Sequence, residues 1–140
     1  MSESYEIPED LLYTRDHEWV RVEKKHAVVG ITDYAQKKLR EIIYVEMPNV
    51  NTRVRQREVL GTVESVKATS DIYSPISGRI VEVNSKLLDN PELLNESPYR
   101  DAWIARIEIA DPSELDKLMD ADEYSRYIEG LEEEKMEEGE

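Results

Sequence analysis

The 140-residue chain has no cysteine and no phenylalanine, and it has only five glycines and two histidines. Without cysteine, a disulfide scaffold, a thiolate metal site and a cysteine nucleophile are all excluded. So few glycines leave no G-x-S-x-G elbow, no phosphate-cradling loop and no dinucleotide fingerprint. His17 and His26 cannot share a helix face at i, i+4 spacing, so no histidine metal site is expected. Basic residues are also scarce. Lys and Arg number 18 against 32 Asp and Glu, a net charge of −14, which argues against a nucleic-acid or anionic-membrane surface. No apolar run is long enough to span a bilayer, and the first ten residues carry acids where a signal peptide carries basic and then apolar ones. A soluble, cytoplasmic protein is expected, a monomer whose charged partners are basic.

What remains suits one domain with a core of Val, Ile and Leu, eight Tyr and two Trp. Residues 1–10 are polar and contain Pro8, and read as a flexible leader before a folded domain at 11–128. Residues 129–140 hold seven acids and one lysine, with too little apolar surface to offset the entropy of ordering. They are expected to form a disordered tail.

Within the domain, β-branched segments at 18–22 and 27–31 bracket a polar turn at Lys24-Lys25, the pattern of a hairpin. Thr32-Asp33 then offers an N-cap, with Gln36 three residues after Asp33 and Ala35, Leu39 and Ile42 at helical spacing. Further strands are expected at 43–47, from Val54 to Glu64, at 71–73 and after a turn at Gly78, and again at 102–109 with Trp103 as a core anchor. Residues 89–98 read as a loop or broken helical turn. Asp111-Pro112-Ser113-Glu114 has the cap, first-turn proline and acid of a helix start, and a second piece should lay Tyr124, Tyr127 and Ile128 on the body. Short strands with turn signals predict a mainly β sandwich or barrel, with a short helix after the first hairpin and helices at the C-terminal side.

One lysine stands apart from the scattered charges. Glu64-Ser65-Val66-Lys67-Ala68 sets Lys67 between two β-prone segments, followed by Asp71-Ile72-Tyr73-Ser74-Pro75. A lysine amine is a compact nucleophile on a flexible stem, so a displayed lysine is a handle for acylation, which also removes its charge. On these residues alone it can hold biotin, lipoate or nothing. Val66-Lys67 lacks the Asn-Gly or glycine-rich pair that a two-residue hairpin prefers, so local propensity gives no turn type.

The block around Lys67, with Gly78, strongly resembles the glycine cleavage system H protein family. Other blocks agree in order: Leu12-Tyr13-Thr14, His17-Glu18-Trp19-Val20, Val29-Gly30-Ile31-Thr32-Asp33-Tyr34-Ala35-Gln36, Val81-Glu82-Val83-Asn84, Pro91-Glu92-Leu93, Ser97-Pro98-Tyr99 and Asp111-Pro112-Ser113-Glu114-Leu115. Biotin carriers place methionines on both sides of the lysine, and lipoyl domains of 2-oxo acid dehydrogenases usually an acid directly before it. Here the flanks are Val66 and Ala68, and the acid is Glu64.

The resemblance implies a hybrid barrel-sandwich (lipoyl/biotinyl-like) fold with lipoate joined to Lys67 by an amide bond. It implies no catalytic residue of the chain's own, but a carrier serving three enzymes: glycine decarboxylase, an aminomethyltransferase and dihydrolipoyl dehydrogenase. A lipoate ligase or lipoyl transferase would load it, with Glu64 either a recognition element or a solvated strand residue. By the same resemblance, Glu18 and Asp71 would hold the arm's cationic amine in a cleft, and Asp16 stands where the family usually has serine. Ordinary surface solvation is the alternative for Glu18 and Asp71. His17 is expected at the core or rim, bonded to backbone. Arg40 replaces a glycine that many family members have after the helix. Two other readings share the lysine: a lipoate donor for other complexes, and an unmodified interaction protein.

Overall fold

The structure is a computed structural model that describes residues 4–139, with side chains to residue 135. It is mainly β, in two antiparallel sheets. The larger has the order β1-β2-β3-β9-β8-β5 and the smaller β4-β6-β7. The larger comprises β1 (Leu12–Tyr13), β2 (Glu18–Glu23), β3 (His26–Ile31), β5 (Arg53–Val54), β8 (Gly78–Val83) and β9 (Ala105–Ile109); the smaller comprises β4 (Ile42–Glu46), β6 (Val59–Ser65) and β7 (Thr69–Tyr73).

Strands β2 and β3 form the expected hairpin, with Glu23 opposite His26 and Lys24 at φ 58° in the turn. Strand β3 is buried on both faces from Ala27 to Ile31, which explains its near-continuous apolar run, whereas β2 is buried at Glu18–Val20 and emerges into solvent at Val22 and Glu23. Val20, Ala27, Val29 and Ile31 face a core shared with Val45, Val63, Ile72, Ile80 and Ile107 between the sheets. Trp19 and Val28 face a second core with Tyr13, Tyr34, Tyr99 and Tyr124. Burying each large apolar side chain contributes about 1.5–3 kcal/mol. Tyrosine replaces phenylalanine in the second core because every hydroxyl there that is deeply buried finds a partner: Tyr13 donates to Pro8 O, Tyr99 to Glu6 O, and Tyr124 bonds Thr32 and His17.

Helix α1 (Asp33–Leu39) starts as a capped helix should, but the cap is Thr32, whose hydroxyl accepts from Ala35 N–H at 3.1 Å. Gln36 bonds the Asp33 carboxylate instead of closing a capping box. The segment 89–98, expected as a loop or broken helical turn, contains the single turn α3 (Leu93–Glu96), and another single turn, α2 (Lys86–Asp89), leads into it. The Asp111 cap opens a 3-10 helix (Pro112–Lys117), and α4 spans Ala121–Gly139.

Three expectations need correction. Gly78 lies in β8, not in a turn; a Cβ there would stand 2.1 Å from Glu108 O, so close approach of neighbouring backbone selects glycine. The core anchor is Trp19, fully buried with Nε1 donating to Pro98 O at 3.0 Å, while Trp103 is half-buried. The region from Val54 to Glu64 is two strands in different sheets, β5 pairing with β8 and β6 with β4 and β7.

The segments outside the expected domain also have structure. Residues 4–10 pack onto the body: Glu6 N–H donates to Asp33 at 2.9 Å and the Tyr5 ring meets Tyr34 edge-on at 4.9 Å. Residues 1–3 of the expected leader lie outside the described residues. The acidic stretch from 129 continues α4 to Gly139, with Leu131 against the second core and Glu132 held by Tyr5 and Lys38. Leu131 and Glu132 thus dock within a stretch whose composition is dominated by charge. Among the described residues no helix is long and apolar enough to cross a membrane, and no group of acids and histidines is arranged to hold a metal.

Candidate functional site

Lys67 lies at the tip of the β6–β7 hairpin, exposed to solvent. Ser65 closes the tip. Its hydroxyl accepts from the N–H groups of Lys67 and Ala68, both at 3.1 Å, while its own N–H donates to Ala68 O at 2.8 Å. No residue of this loop has positive φ. A serine side chain thus supplies what glycine or asparagine supplies in other tight hairpins, a local substitute for backbone pairing. Serine two residues before a displayed lysine is the sequence signal for this closure.

The tip rests on the chain that links α1 to β4. Val66 N–H donates to Glu41 O at 3.0 Å, and Lys67 Nζ lies 3.4 Å from Lys38 O. Among the described residues Lys67 makes no ion pair, and its side chain is exposed to solvent. Glu64 stands at the upper end of β6, exposed, between its register partners Tyr44 and Thr69. Lower on the same hairpin, a Cβ at Gly61 would lie 2.4 Å from Glu46 O, so β4 and β6 meet there without room for a side chain.

A cleft of about 470 Å³ opens below the far end of β7, where the β1–β2 turn, Tyr73–Pro75 and the 3-10 helix meet. Glu18 and Asp16 line it, as do Arg15, Arg57 and Lys117, three cations that the sequence reading did not bring to this place. Asp71 does not line it. Asp71 is exposed on β7, two residues before Tyr73, and so lies on the outer strand face between the lysine and the cleft.

Glu18 is the most unusual group in the cleft. It is only 2% exposed, yet both carboxylate oxygens are bonded: Thr14 Oγ1 donates to Oε1 at 2.6 Å and Tyr73 N–H to Oε2 at 3.0 Å. Thr14 Oγ1 also accepts from the N–H groups of Asp16 and Glu18, at 3.2 and 3.1 Å, which fixes the turn that presents both acids. Burial pushes the Glu18 carboxyl up to about 7; the Thr14 and Tyr73 hydrogen bonds oppose this and the charge of Asp16 reinforces it. A cation entering the cleft would favour the carboxylate, so Glu18 can meet a charged amine by giving up a proton.

His17 faces the other way. At φ 73° it turns its ring into the second core, with Nδ1 2.8 Å from the Tyr124 hydroxyl and the ring against Tyr34 at 4.6 Å. Burial holds it down to about 4, with Lys135 adding to the effect. Its ring partner is therefore a tyrosine hydroxyl, not the expected backbone group.

The sequence model of the family described as "Glycine cleavage H-protein" matches residues 11–131. The chain belongs to the glycine cleavage H-protein family. It is 48% identical over 126 residues to the glycine cleavage system H protein of Halothermothrix orenii, covering 90% of this chain and 98% of that one. Against the H protein of Brevibacillus brevis it is 50% identical over 123 residues, covering 88% and 98%. A crystal structure of the H protein from Mycobacterium marinum superposes with a TM-score of 0.76 at 34% identity, covering 85% of this chain and 96% of that one. The match fits the barrel-sandwich arrangement of the two sheets, and it extends past residue 128 into the first half of α4.

Proposed function

We propose that Lys67 carries lipoate in amide linkage and that the protein is the mobile lipoyl carrier of glycine cleavage. In this reading it takes the aminomethyl group of glycine from glycine decarboxylase to the aminomethyltransferase and returns to its starting state through dihydrolipoyl dehydrogenase. It acts as a cytoplasmic monomer, with the catalysis supplied by those partners. The observation that carries the reading is an exposed lysine amine, free of ion pairs among the described residues, at a serine-closed hairpin tip in a chain of the H-protein family.

The residues at hand suit the group. A two-residue tip lifts Lys67 clear of the sheets, and Glu64 beside it offers a charge for the loading ligase to recognise. Lipoate supplies a dithiolane that can be reduced, carry a one-carbon unit and be reoxidised. The chain supplies tether and shelter. A tether holds the cargo at high local concentration near each docked enzyme. Glu18 serves as the shelter's floor, a buried carboxylate to which a cationic amine bonds more strongly than to a neutral acceptor. Asp16, Asp116 and Glu123 add acids to the lining, opposed by Arg15, Arg57 and Lys117, and Asp71 adds one more on the strand between. Exclusion of water from a cleft of this kind slows hydrolysis of a labile cargo.

Intact mass and peptide mapping after expression in a lipoylation-competent host test the attachment: the lipoyl increment should map to Lys67 and vanish in Lys67→Arg. A reconstituted glycine–bicarbonate exchange assay with glycine decarboxylase tests the role. Exchange supports the shuttle; lipoyl transfer to other complexes without exchange would assign the protein as a lipoate donor instead.

A further inference from the structure

Asn95, on α3, lies away from the cleft, yet its amide group holds both sides of one backbone corner. That corner joins α1 to β4. Arg40, the C-cap of α1, sits at φ 69° and ψ −149°, at the edge of a region that essentially only glycine occupies without strain. Asn95 Nδ2 donates to Arg40 O at 2.8 Å and to Gln36 Oε1 at 2.9 Å, and Asn95 Oδ1 accepts from Ile42 N–H at 2.9 Å. The amide thus bonds the residue at the strained position and the residue two further on. Gln36 in turn donates to Asp33 Oδ1 at 2.7 Å, so the clamp is itself anchored in the body.

Between the two clamped residues is Glu41, and its carbonyl accepts from Val66 N–H at 3.0 Å. Lys38 O, one turn earlier, faces Lys67 Nζ at 3.4 Å. Val66 is 61% exposed, so its side chain does little to seat the tip. The tip is seated by the pairing of Ser65 with Ile42 at the end of the β4–β6 ladder and, one residue further, by the Glu41 carbonyl, whose direction follows from the peptides on either side of a residue in a disfavoured conformation. Released from Asn95, Arg40 would relax toward negative φ, and the Glu41 carbonyl would turn away from Val66.

We infer that Asn95 is a positioning residue for Lys67: by clamping the Arg40 corner it aims Glu41 O at the hairpin tip and so fixes the lysine for acylation. The inference rests on the reading of Lys67 as the acylated residue, but the clamp can be measured without any lipoate. Glycine at position 40 would hold the corner unaided, so the dependence on Asn95 is a property of a chain with arginine there.

The test combines Asn95→Ala, Asn95→Asp, Arg40→Gly and the double variant Arg40→Gly/Asn95→Ala in the full chain. Asn95→Asp keeps an acceptor for Ile42 N–H while removing both donations, which guards against a simple loss of folding. Two quantities are read: hydrogen exchange of the Val66 amide, and the initial rate of lipoate transfer to Lys67 by a purified lipoate ligase. Either Asn95 variant should speed Val66 exchange by about tenfold and slow acylation about three- to tenfold. The double variant should return both to within about twofold of Arg40→Gly alone. Unchanged Val66 exchange, unchanged acylation despite faster exchange, or failure of glycine to rescue would each overturn the inference. If wild-type Lys67 accepts no lipoate, the carrier reading fails and with it the acylation half; the Val66 exchange still decides the clamp.

Discussion

The backbone N–H of Tyr73 donates to Glu18 Oε2 at 3.0 Å, tying the strand that descends from Lys67 to the buried acid at the floor of the cleft. The hairpin that displays the lysine and the site that would shelter its cargo are thereby joined by a direct hydrogen bond, with the five residues of β7 running from one to the other.

The tip depends on Ser65. Ser65→Ala removes the acceptor of two backbone N–H groups without disturbing either strand, and should lower stability by about 1–2 kcal/mol. Lipoate transfer to Lys67 should slow in parallel, while Ser65→Thr, which keeps the hydroxyl, should retain most of both. Urea denaturation and a timed lipoylation assay check this pair of outcomes.

Shelter should depend on Glu18 more than on Asp71. Glu18→Gln keeps the shape of the cleft but not the charge that would hold a cationic amine, so a loaded carrier should release formaldehyde and ammonia several-fold faster than wild type. Asp71→Asn, on an exposed strand face outside the cleft lining, should have a smaller effect. Equal loss rates for wild type and Glu18→Gln would remove Glu18 from this role.

Neighbouring residues His17 and Glu18 should tilt the stability of the fold in opposite directions with pH. The Glu18 carboxyl is raised from 4.5 to about 7, so its contribution is fully present below pH 4.5 and is lost as pH rises to about 7. His17 is lowered from 6.5 to about 4, so its contribution is present above pH 6.5 and is lost as pH falls to about 4. Each is worth about 3 kcal/mol at its full extent. Relative to wild type, Glu18→Gln should therefore gain stability steadily from pH 4.5 to 7, and His17→Asn should lose it over nearly the same range. Urea midpoints measured at half-unit steps give both slopes; asparagine is chosen because it tolerates the φ of 73°.

Tyr124 ties both halves of the second core together through its hydroxyl, bonded to Thr32 and His17 at 2.8 Å each. Tyr124→Phe leaves the ring stacked on Tyr13 but strips a buried hydroxyl from two polar partners. A loss of about 1–3 kcal/mol is expected. Chemical-shift titration should also show the His17 midpoint moving, because its Nδ1 loses its partner.

The strands and the lysine were readable because their signals are local. Alternating or continuous β-branched runs mark β2 and β3, and turn residues bracket the rest. Illegible features were those that depend on what lies opposite. Gly78 reads as a turn residue in isolation, yet it pairs with Val54 and Ile109 in the sheet and is glycine because Glu108 O leaves no space for a side chain. Residues 129–135 read as solvated charge, yet Leu131 and Glu132 find Tyr5 and Lys38 across the fold. The cations of the cleft come from three separate stretches at Arg15, Arg57 and Lys117, a convergence that only the folded chain reveals. Ser65 is the intermediate case: its signal was local, but the glycine-based rules for hairpins point elsewhere.

The hydrogen bond from Tyr5 to Glu132 spans 127 positions of sequence and nearly closes the chain into a ring. Force applied across those two residues would load this clasp and the aromatic packing behind it before reaching either sheet. The lysine hairpin, inside the ring, is reached from this clasp through one residue: Lys38 pairs with Glu132 through its amine and faces Lys67 Nζ with its carbonyl.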